Sequence, residues 1–428
     1  MAPSIDTSLI SNGAISVVET LLEADFEAYV VGGCVRDLIL KKTPKDFDVA
    51  TSATPEEVKA LFPRSRIVGR RFQINHIRFG REIVEVATFR GPGDDDTEYS
   101  DDGVILNDNT YGTLSEDVIR RDFTINALYC NPVTGEVFDE VDGQQDISAG
   151  KIRSIGDPLA RFREDPVRIL RAIRFKAKLG FEIDPDAENA IAELRPLLDD
   201  IPPARLYEEV LKLFMSGHAV ATLEALIEYE LIAQLFPVLE EYIDRDGAVQ
   251  LIRLALDSTD QRIAENKSVT PAFVFAAFLW YPYIFLRQQM ESEGVPRAEA
   301  SEDAAAMTIA DQQPFISIPK RVSIPAKETW LLQSRLANTK GKRATAVFAH
   351  RRFRAAYDFL VLRAEAGEDV QELADFWTEY QTTHEPPPQE ERRNQNDRGK
   401  KDSEPRRRRG RRKRRQRRNT TTSDIVHA

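Results

Sequence analysis

The chain has 428 residues, enough for two or three domains with cores of their own, and its 42% hydrophobic and 30% charged content is ordinary for a globular protein. The net charge of −11 averages two different objects: residues 1–390 carry −22 and residues 391–428 carry +11, an acidic body with a basic arm suited to a polyanion. Two cysteines without metal spacing, five scattered histidines and the lack of a basic flank with an apolar run at the N-terminus argue against a zinc module, a disulfide framework or a signal peptide. A cytoplasmic protein whose catalytic metal is held by oxygen ligands is the expectation.

In chain order, AYVVGG (28–33) reads as a short strand ending in a glycine turn, with a helix from Val35 to Leu40 behind it. KTPKDFDVAT (42–51) is a turn running into a second strand. Thr54, Pro55 and Glu57 supply a side-chain cap, a first-turn proline and a capping-box glutamate, so a helix starts there. Arg66 to Val68, Ile74 to Phe79 and Ile83 to Phe89 alternate as strands do. Residues 92–112, rich in Gly, Asp and Asn and without periodicity, read as a surface loop.

From Pro166 to about Glu379 the apolar residues recur with helical period, broken at Pro202-Pro203, at Pro271 and from Pro314 to Pro325. The longest apolar stretch, Phe273 to Leu286, is too short to span a bilayer and contains Pro282, so a buried helix is expected. After His384 the chain runs EPPPQEERR and then PRRRRGRRKRRQRR, with nothing apolar to bury in either, and disorder is expected. The fold expected is α+β: a head with a mixed sheet over 1–155, a helical neck over 156–225, a helical body over 226–383 and an arginine-rich tail over 384–428.

Asp46 and Asp48 flank Phe47 on the predicted second strand. Side chains two apart share a face, so both carboxylates project together while Phe47 packs behind. Paired carboxylates repel unless a cation lies between them, and Mg²⁺ suits oxygen ligands. Exposed strand-edge aspartates show the same spacing, so the neighbouring residues decide. Gly32 and Gly33 let the backbone approach a ligand, and Arg36 on the first turn of the following helix can reach triphosphate oxygens. Asp37 is expected to be structural, bonded to neighbouring backbone or to an arginine.

GGCVRD, then KDFD, then RRDFTINAL (120–128) and EDPVRILRAIRF (164–175) together resemble the class II tRNA nucleotidyltransferase and bacterial poly(A) polymerase family, over about residues 28–240. The resemblance implies a polymerase-β-like nucleotidyltransferase head with helical neck and body. It implies Asp46 and Asp48 as metal ligands, Asp122 as third catalytic carboxylate and Arg121 as a nucleotide contact. From the residues alone, Arg120-Arg121-Asp122 could equally be a structural ion pair. Glu85, on a strand face shared with Ile83 and Ala87, competes for the third place.

Asp165 and Pro166 open a helix whose Ile169, Leu170 and Ile173 share one side and whose Arg168, Arg171 and Arg174 lie on the other. Taken alone this is an amphipathic helix with a solvated basic face. By resemblance, Asp165 and Arg168 read the Watson–Crick edge of the incoming base, and Arg171 and Arg174 contact nucleotide or phosphate.

The shared motifs do not separate poly(A) addition from CCA addition. Two features favour the first. The segment IVGRRFQINHIRFG (67–80), with Arg70 and Arg71, is similar to the glycine-arginine-arginine-phenylalanine segment of bacterial poly(A) polymerases. The tail arginines Arg406, Arg407, Arg408, Arg409, Arg411 and Arg412 suit sequence-independent RNA binding, with a solubilising extension or a protein-docking segment as the alternatives. The expectation is therefore a monomeric Mg²⁺-dependent enzyme adding AMP from ATP to RNA 3′ ends, and the resemblance implies a role in RNA decay with the decay machinery as partner. A CCA-adding enzyme and a non-catalytic RNA-binding protein are the alternatives.

Overall fold

The computed structural model describes residues 5–69, 73–91, 98–99, 105–107, 110–243, 245 and 247–385. A mixed sheet lies at the N-terminal end and helices make up almost everything after it, the α+β division expected.

Helix α1 (Asn12–Glu23) leads into strand β1 (Ala28–Val31), helix α2 (Gly33–Ile39), strand β2 (Asp48–Thr51) and helix α3 (Pro55–Leu61). The capping box read at Thr54 is present, with Glu57 accepting from the Thr54 backbone and Thr54 from that of Glu57. Strands β3 (Arg66–Val68), β4 (Ile74–Phe79) and β5 (Glu82–Thr88) follow within a residue of expectation. In the stretch read as a loop, β6 (Glu98–Tyr99) and β7 (Ile105–Asn107) pair antiparallel with a bulge. Backbone pairing there needs no apolar period, which is why composition did not reveal it.

Helix α4 (Leu114–Arg120), strands β8 (Tyr129–Cys130) and β9 (Val137–Phe138), helix α5 (Gly143–Ala149) and strand β10 (Lys151–Ile152) complete the head. The main sheet runs β3-β4-β5-β2-β1-β8-β9. Its β2–β5 pair is parallel and sets Asp48 beside Glu85, Val49 beside Val86 and Ala50 beside Ala87. Val30, Val49, Val84 and Val86 are buried on one side under α1, while Asp48 and Glu85 point to the other, open side.

Helices α6 (Pro158–Glu164) and α7 (Val167–Leu179) lead out of the head, and β11 (Glu182–Ile183) returns to pair with β10. Then come α8 (Pro185–Leu194), α9 (Pro203–Phe214), α10 (Ala219–Glu228), α11 (Ile232–Leu235), α12 (Ala248–Ala264), α13 (Pro271–Phe278), α14 (Trp280–Ser292), α15 (Arg297–Gln312), α16 (Lys320–Leu336), α17 (Gly341–Phe348), α18 (Phe353–Glu365) and α19 (Gln371–Thr383). The breaks read at Pro202-Pro203 and Pro271 fall between helices, with Pro203 and Pro271 each the first residue of the next one. Pro325 does not end one: it lies inside α16, whose face bearing Val322, Ala326 and Trp330 is buried. Packing there outweighs the one backbone hydrogen bond a proline forfeits.

The apolar run around Pro282 is divided between α13 and α14, and Phe275, Phe278, Trp280 and Tyr283 are all fully buried. Among the described residues no single helix is long and apolar enough to cross a membrane. The tail expected to be disordered lies outside the described residues.

Candidate active site

The alternation read at Asp46-Phe47-Asp48 is borne out: Phe47 is buried and both aspartates are open to solvent. Only Asp48 lies within β2, with Asp46 in the extended lead-in. Because β2 and β5 are parallel and in register, Glu85 stands beside Asp48 on the same face of the sheet, one strand spacing of about 4.8 Å away. Ile83, also on that face, is exposed, so this side of β5 is uncovered.

The electrostatics follow from that crowding. Surrounding protein strips water from Asp48, Glu85 and then Asp46 repel it, and only Arg121 opposes them; the carboxyl is pushed up to about 6. Glu85 itself meets the His76 ring nitrogen at 3.3 Å. Among the described residues no group of three or more His, Cys, Asp or Glu side chains is already gathered into a metal cage. Magnesium does not need one, since it takes one or two carboxylates and completes its shell with water and substrate phosphates. Repelling hard-oxygen donors on an open face fit that ion.

The glycine turn borders these carboxylates through Arg121. Gly32 has φ 80° and ψ −129°, and a Cβ there would lie 3.6 Å from both Arg121 Nη1 and the Asn126 carbonyl oxygen. Gly32→Ala is expected to cost roughly 1–3 kcal/mol in backbone strain and to raise the KM for nucleotide. Urea unfolding and nucleotide titration measure the two effects, and a variant unchanged in both would remove the turn from the site.

Arg121 caps the end of α4 and is held from behind. It donates to Tyr129 Oη at 2.6 Å and to Asp117 at 2.9 Å and 3.2 Å, over the face of the Tyr129 ring. Tyr129 also donates to Asp117. Burial works against the guanidinium's charge, but Tyr129 and Asp117 raise its pKa, so it stays cationic.

Arg36, expected to reach a triphosphate, is almost wholly buried. It donates to Asp37 from Nε at 2.9 Å and Nη2 at 2.7 Å, and to Asn126 Oδ1 from Nη1 at 2.6 Å. All its nitrogens are engaged, so it braces the turn from beneath. Asp37 is structural, as read.

Asp122 has a different setting from Asp48. Its carboxylate accepts from Arg171 Nε at 2.6 Å, the Phe123 N–H at 2.9 Å and Asn126 Nδ2 at 3.3 Å. Burial alone would raise its pKa, but Arg171 and these donors hold it below the usual carboxylate range. Asn126 thus joins the turn, through Arg36, to the neck helix, through Asp122 and Arg171.

On the neck, Asp165 accepts from the Val167 N–H at 3.2 Å and from Arg205 Nη2 at 2.7 Å, but α7 begins one residue later than read, with Pro166 and not Asp165 at its N-cap. Arg168 donates to the Arg161 carbonyl at 2.7 Å and to Glu164 at 2.8 Å. Arg174 lies 5.2 Å from the Phe175 ring centroid; burial, and then neighbouring Arg171, lowers its pKa.

Residues 28–153 match the family described as the Poly A polymerase head domain. Residues 180–243 match the probable RNA and SrmB-binding site of polymerase A, and residues 293–418 the polymerase A arginine-rich C-terminus. Poly(A) polymerase I of Haemophilus influenzae is 45% identical over 385 residues, 87% of this chain and 84% of the relative. The chain belongs to the poly(A) polymerase I family. The CCA-adding enzyme of Oceanobacillus iheyensis is 39% identical, but over 222 residues, 52% of this chain and 54% of the relative. A solved CCA-adding enzyme of Bacillus stearothermophilus in complex with CTP shares the fold, with a TM-score of 0.57, 26% identity and 86% and 82% of the two chains covered.

In this member of the poly(A) polymerase I family, Asp46, Asp48, Glu85, Arg121 and the Gly32-Gly33 turn meet around one open face of the head. Asp122, Arg171, Asp165 and Arg168 lie along the head–neck seam. Arg70, Arg71 and the six tail arginines lie outside the described residues. Asp117, Asn126, Tyr129 and Arg205 were missed. Asp117 precedes Arg121 by four residues, a helical spacing that could have flagged it. Asn126 stands inside RRDFTINAL itself, whereas Arg205 is 40 residues from its partner and left no local signal.

Proposed function

We propose that the chain is a Mg²⁺-dependent, template-independent polynucleotide adenylyltransferase that adds AMP from ATP to RNA 3′-hydroxyls and releases pyrophosphate. The observation that carries this is the extent of similarity. Likeness to poly(A) polymerase I runs through 87% of the chain, whereas likeness to the CCA-adding enzyme stops at about half.

Asp46 and Asp48 would hold magnesium, which when bound activates a 3′-hydroxyl and neutralises charge on the departing pyrophosphate. Glu85, beside Asp48 in register, is the third carboxylate of this reading in place of Asp122. Gly32 and Gly33 bring backbone close to the triphosphate, with Arg36 bracing the turn and Arg121 lending positive charge beside Asp48. Asp165 and Arg168 face the base: the carboxylate accepts from an exocyclic amine and the guanidinium donates to ring acceptors. Asp122 fixes Arg171 and so sets the neck helix that carries both. Tails added in this way would mark RNA for decay.

The test is incubation with Mg²⁺, a generic RNA and each nucleoside triphosphate in turn. A long ladder with ATP alone is expected. A three-nucleotide extension confined to truncated tRNA would overturn the reading in favour of CCA addition, and no extension at all would discard the enzyme class.

A further inference from the structure

The polar face of α7 continues past the base-reading residues to Arg174, which the resemblance places on nucleotide or phosphate, and to Lys178, which AMP transfer leaves unused. Arg168, Arg171, Arg174 and Lys178 follow at helical intervals, and Lys178 lies about 15 Å along the axis from Arg168. The first two are neutralised, Arg168 by Glu164 and Arg171 by Asp122. Arg174 has no ion-pair partner among the described residues. Lys178 reaches Asp37 at 3.4 Å, but that carboxylate already binds Arg36 at 2.7 Å.

Two neighbours extend the patch. Lys42, just past the end of α2, is exposed and has no ion-pair partner among the described residues. His218, at the start of α10, is held below its ordinary pKa by burial first, with Asp260 opposing and Lys178 and Lys42 adding to the depression. It therefore joins the patch as a neutral polar ring and not as a cation. Two nearby carboxylates have partners of their own, although Glu209 also acts on Arg174 and Asp260 on His218. Glu209 pairs with Lys212 at 2.7 Å, and Asp260 accepts the N–H groups of Ala219 and Val220. Arg36 and Lys178 thus share Asp37, Arg174 feels Glu209 and Asp122 without an ion pair of its own, and Lys42 has no ion pair among the described residues. Lys178 is held below its ordinary pKa, by burial first, with Asp37 opposing and Arg36 and Arg174 adding to the depression.

The position of this patch says which phosphates it meets. Lys42 precedes Asp46 by four residues, so their backbones are at most about 14 Å apart. An RNA hydroxyl presented to Asp46 and Asp48 must lay its last phosphodiesters within that reach, while the triphosphate is drawn to the Gly32-Gly33 turn. We propose that Arg174, Lys178, Lys42 and His218 form a rail for the sugar–phosphate backbone behind the RNA 3′ end. The rail rests on the adenylyltransferase reading. It touches no base, so it holds any RNA end in register with the carboxylates.

The experiment uses the full chain with Lys42→Gln and Lys178→Gln combined, assayed for AMP addition to a short RNA across a salt series. The KM for RNA should rise fivefold or more, while the KM for ATP moves less than twofold. The dependence of log kcat/KM for RNA on log salt should flatten by about 1.4, near 0.7 for each phosphate no longer neutralised. The tail's contribution cancels in the comparison with wild type. Lys176→Gln is the control: it removes a lysine of the same helix that pairs with Glu182 and Glu228, and it should leave the RNA dependence unchanged. If the double variant fails to fold, the exposed Lys42→Gln alone should flatten the slope by about 0.7. An unchanged RNA KM and slope would overturn the rail while leaving the polymerase reading intact. A rise in the KM for ATP instead would assign these cations to the triphosphate and overturn it too. A wild-type chain that extends no RNA would defeat the polymerase reading first, and the rail with it.

Discussion

Asp48→Asn is expected to lower AMP addition by more than about 10³-fold and, in the metal-free protein at pH 7, to raise the melting temperature. Loss of a single preorganised electrostatic group costs an enzyme roughly 10²–10³-fold, and loss of a metal-holding carboxylate should exceed that. The stability effect comes from the carboxyl pKa near 6, against 3.8 for an unperturbed aspartate. A folded value above the unfolded one means that the native state binds the extra proton. The stability this contributes is fully present below about pH 4 and is lost as pH rises through 6. At pH 7 the native protein therefore holds an ionised group amid desolvation and two like charges. Asparagine keeps the shape without the charge. Asp48 is open to water, so screening shrinks the gain, and a rise of roughly 1–3 °C is the expected size. Added Mg²⁺ and ATP should stabilise the wild type and not the variant, reversing the order of the two melting curves. If Asp48→Asn melts lower than wild type without metal, the carboxylate is structural and its place in the site is wrong.

Such a trade between stability and function marks a functional site, yet Asp46 and Asp48 were legible in the sequence only through their context. The Asp-x-Asp spacing with Phe47 tucked behind also fits exposed strand-edge aspartates, and it was the glycine turn and Arg36 upstream that singled the pair out. The helix cap at Thr54 was legible because its partner lies within three residues, and the turn at Asp165 was legible to within one residue. Glu85 could be flagged but not assigned. Whether it meets Asp48 depends on the parallel register of β2 with β5, which joins residues 37 apart through a crossover that no local pattern specifies. Arg36 illustrates the opposite error. Its place on the first turn behind two glycines suggested a phosphate contact, but Asp37 and Asn126 engage each of its three nitrogens beneath the turn. Asn126 is 90 residues away, and burial of that kind is set by how the head closes on itself.

The two candidates for third carboxylate should separate by what each substitution damages. Asp122 is buried, ion-paired to Arg171 and saturated with donors, so Asp122→Asn leaves a guanidinium without its counter-charge. Breaking a buried pair from one side costs about 3–5 kcal/mol, and Arg171, at 33% side-chain exposure, places this case at the lower end. Substituting Arg171 by methionine as well should recover part of that loss, because it removes the stranded charge along with its partner. A double-mutant cycle by urea unfolding would measure the coupling. Glu85→Gln changes an exposed side chain on an open face and should leave the unfolding midpoint within the range of ordinary surface substitutions, about 0.5 kcal/mol. Its effect should fall on turnover, with AMP addition reduced by more than about 10²-fold. Relieving Asp48 of its nearest repelling carboxylate should also lower the pH at which Asp48 titrates, visible by carboxyl NMR in the metal-free protein. The reverse pattern, with Asp122→Asn stable but inactive and Glu85→Gln fully active, would return the third carboxylate to Asp122. The head–neck ion pair would then have to open during the reaction, because a carboxylate bound by Arg171 and two N–H groups is poorly placed to receive a metal.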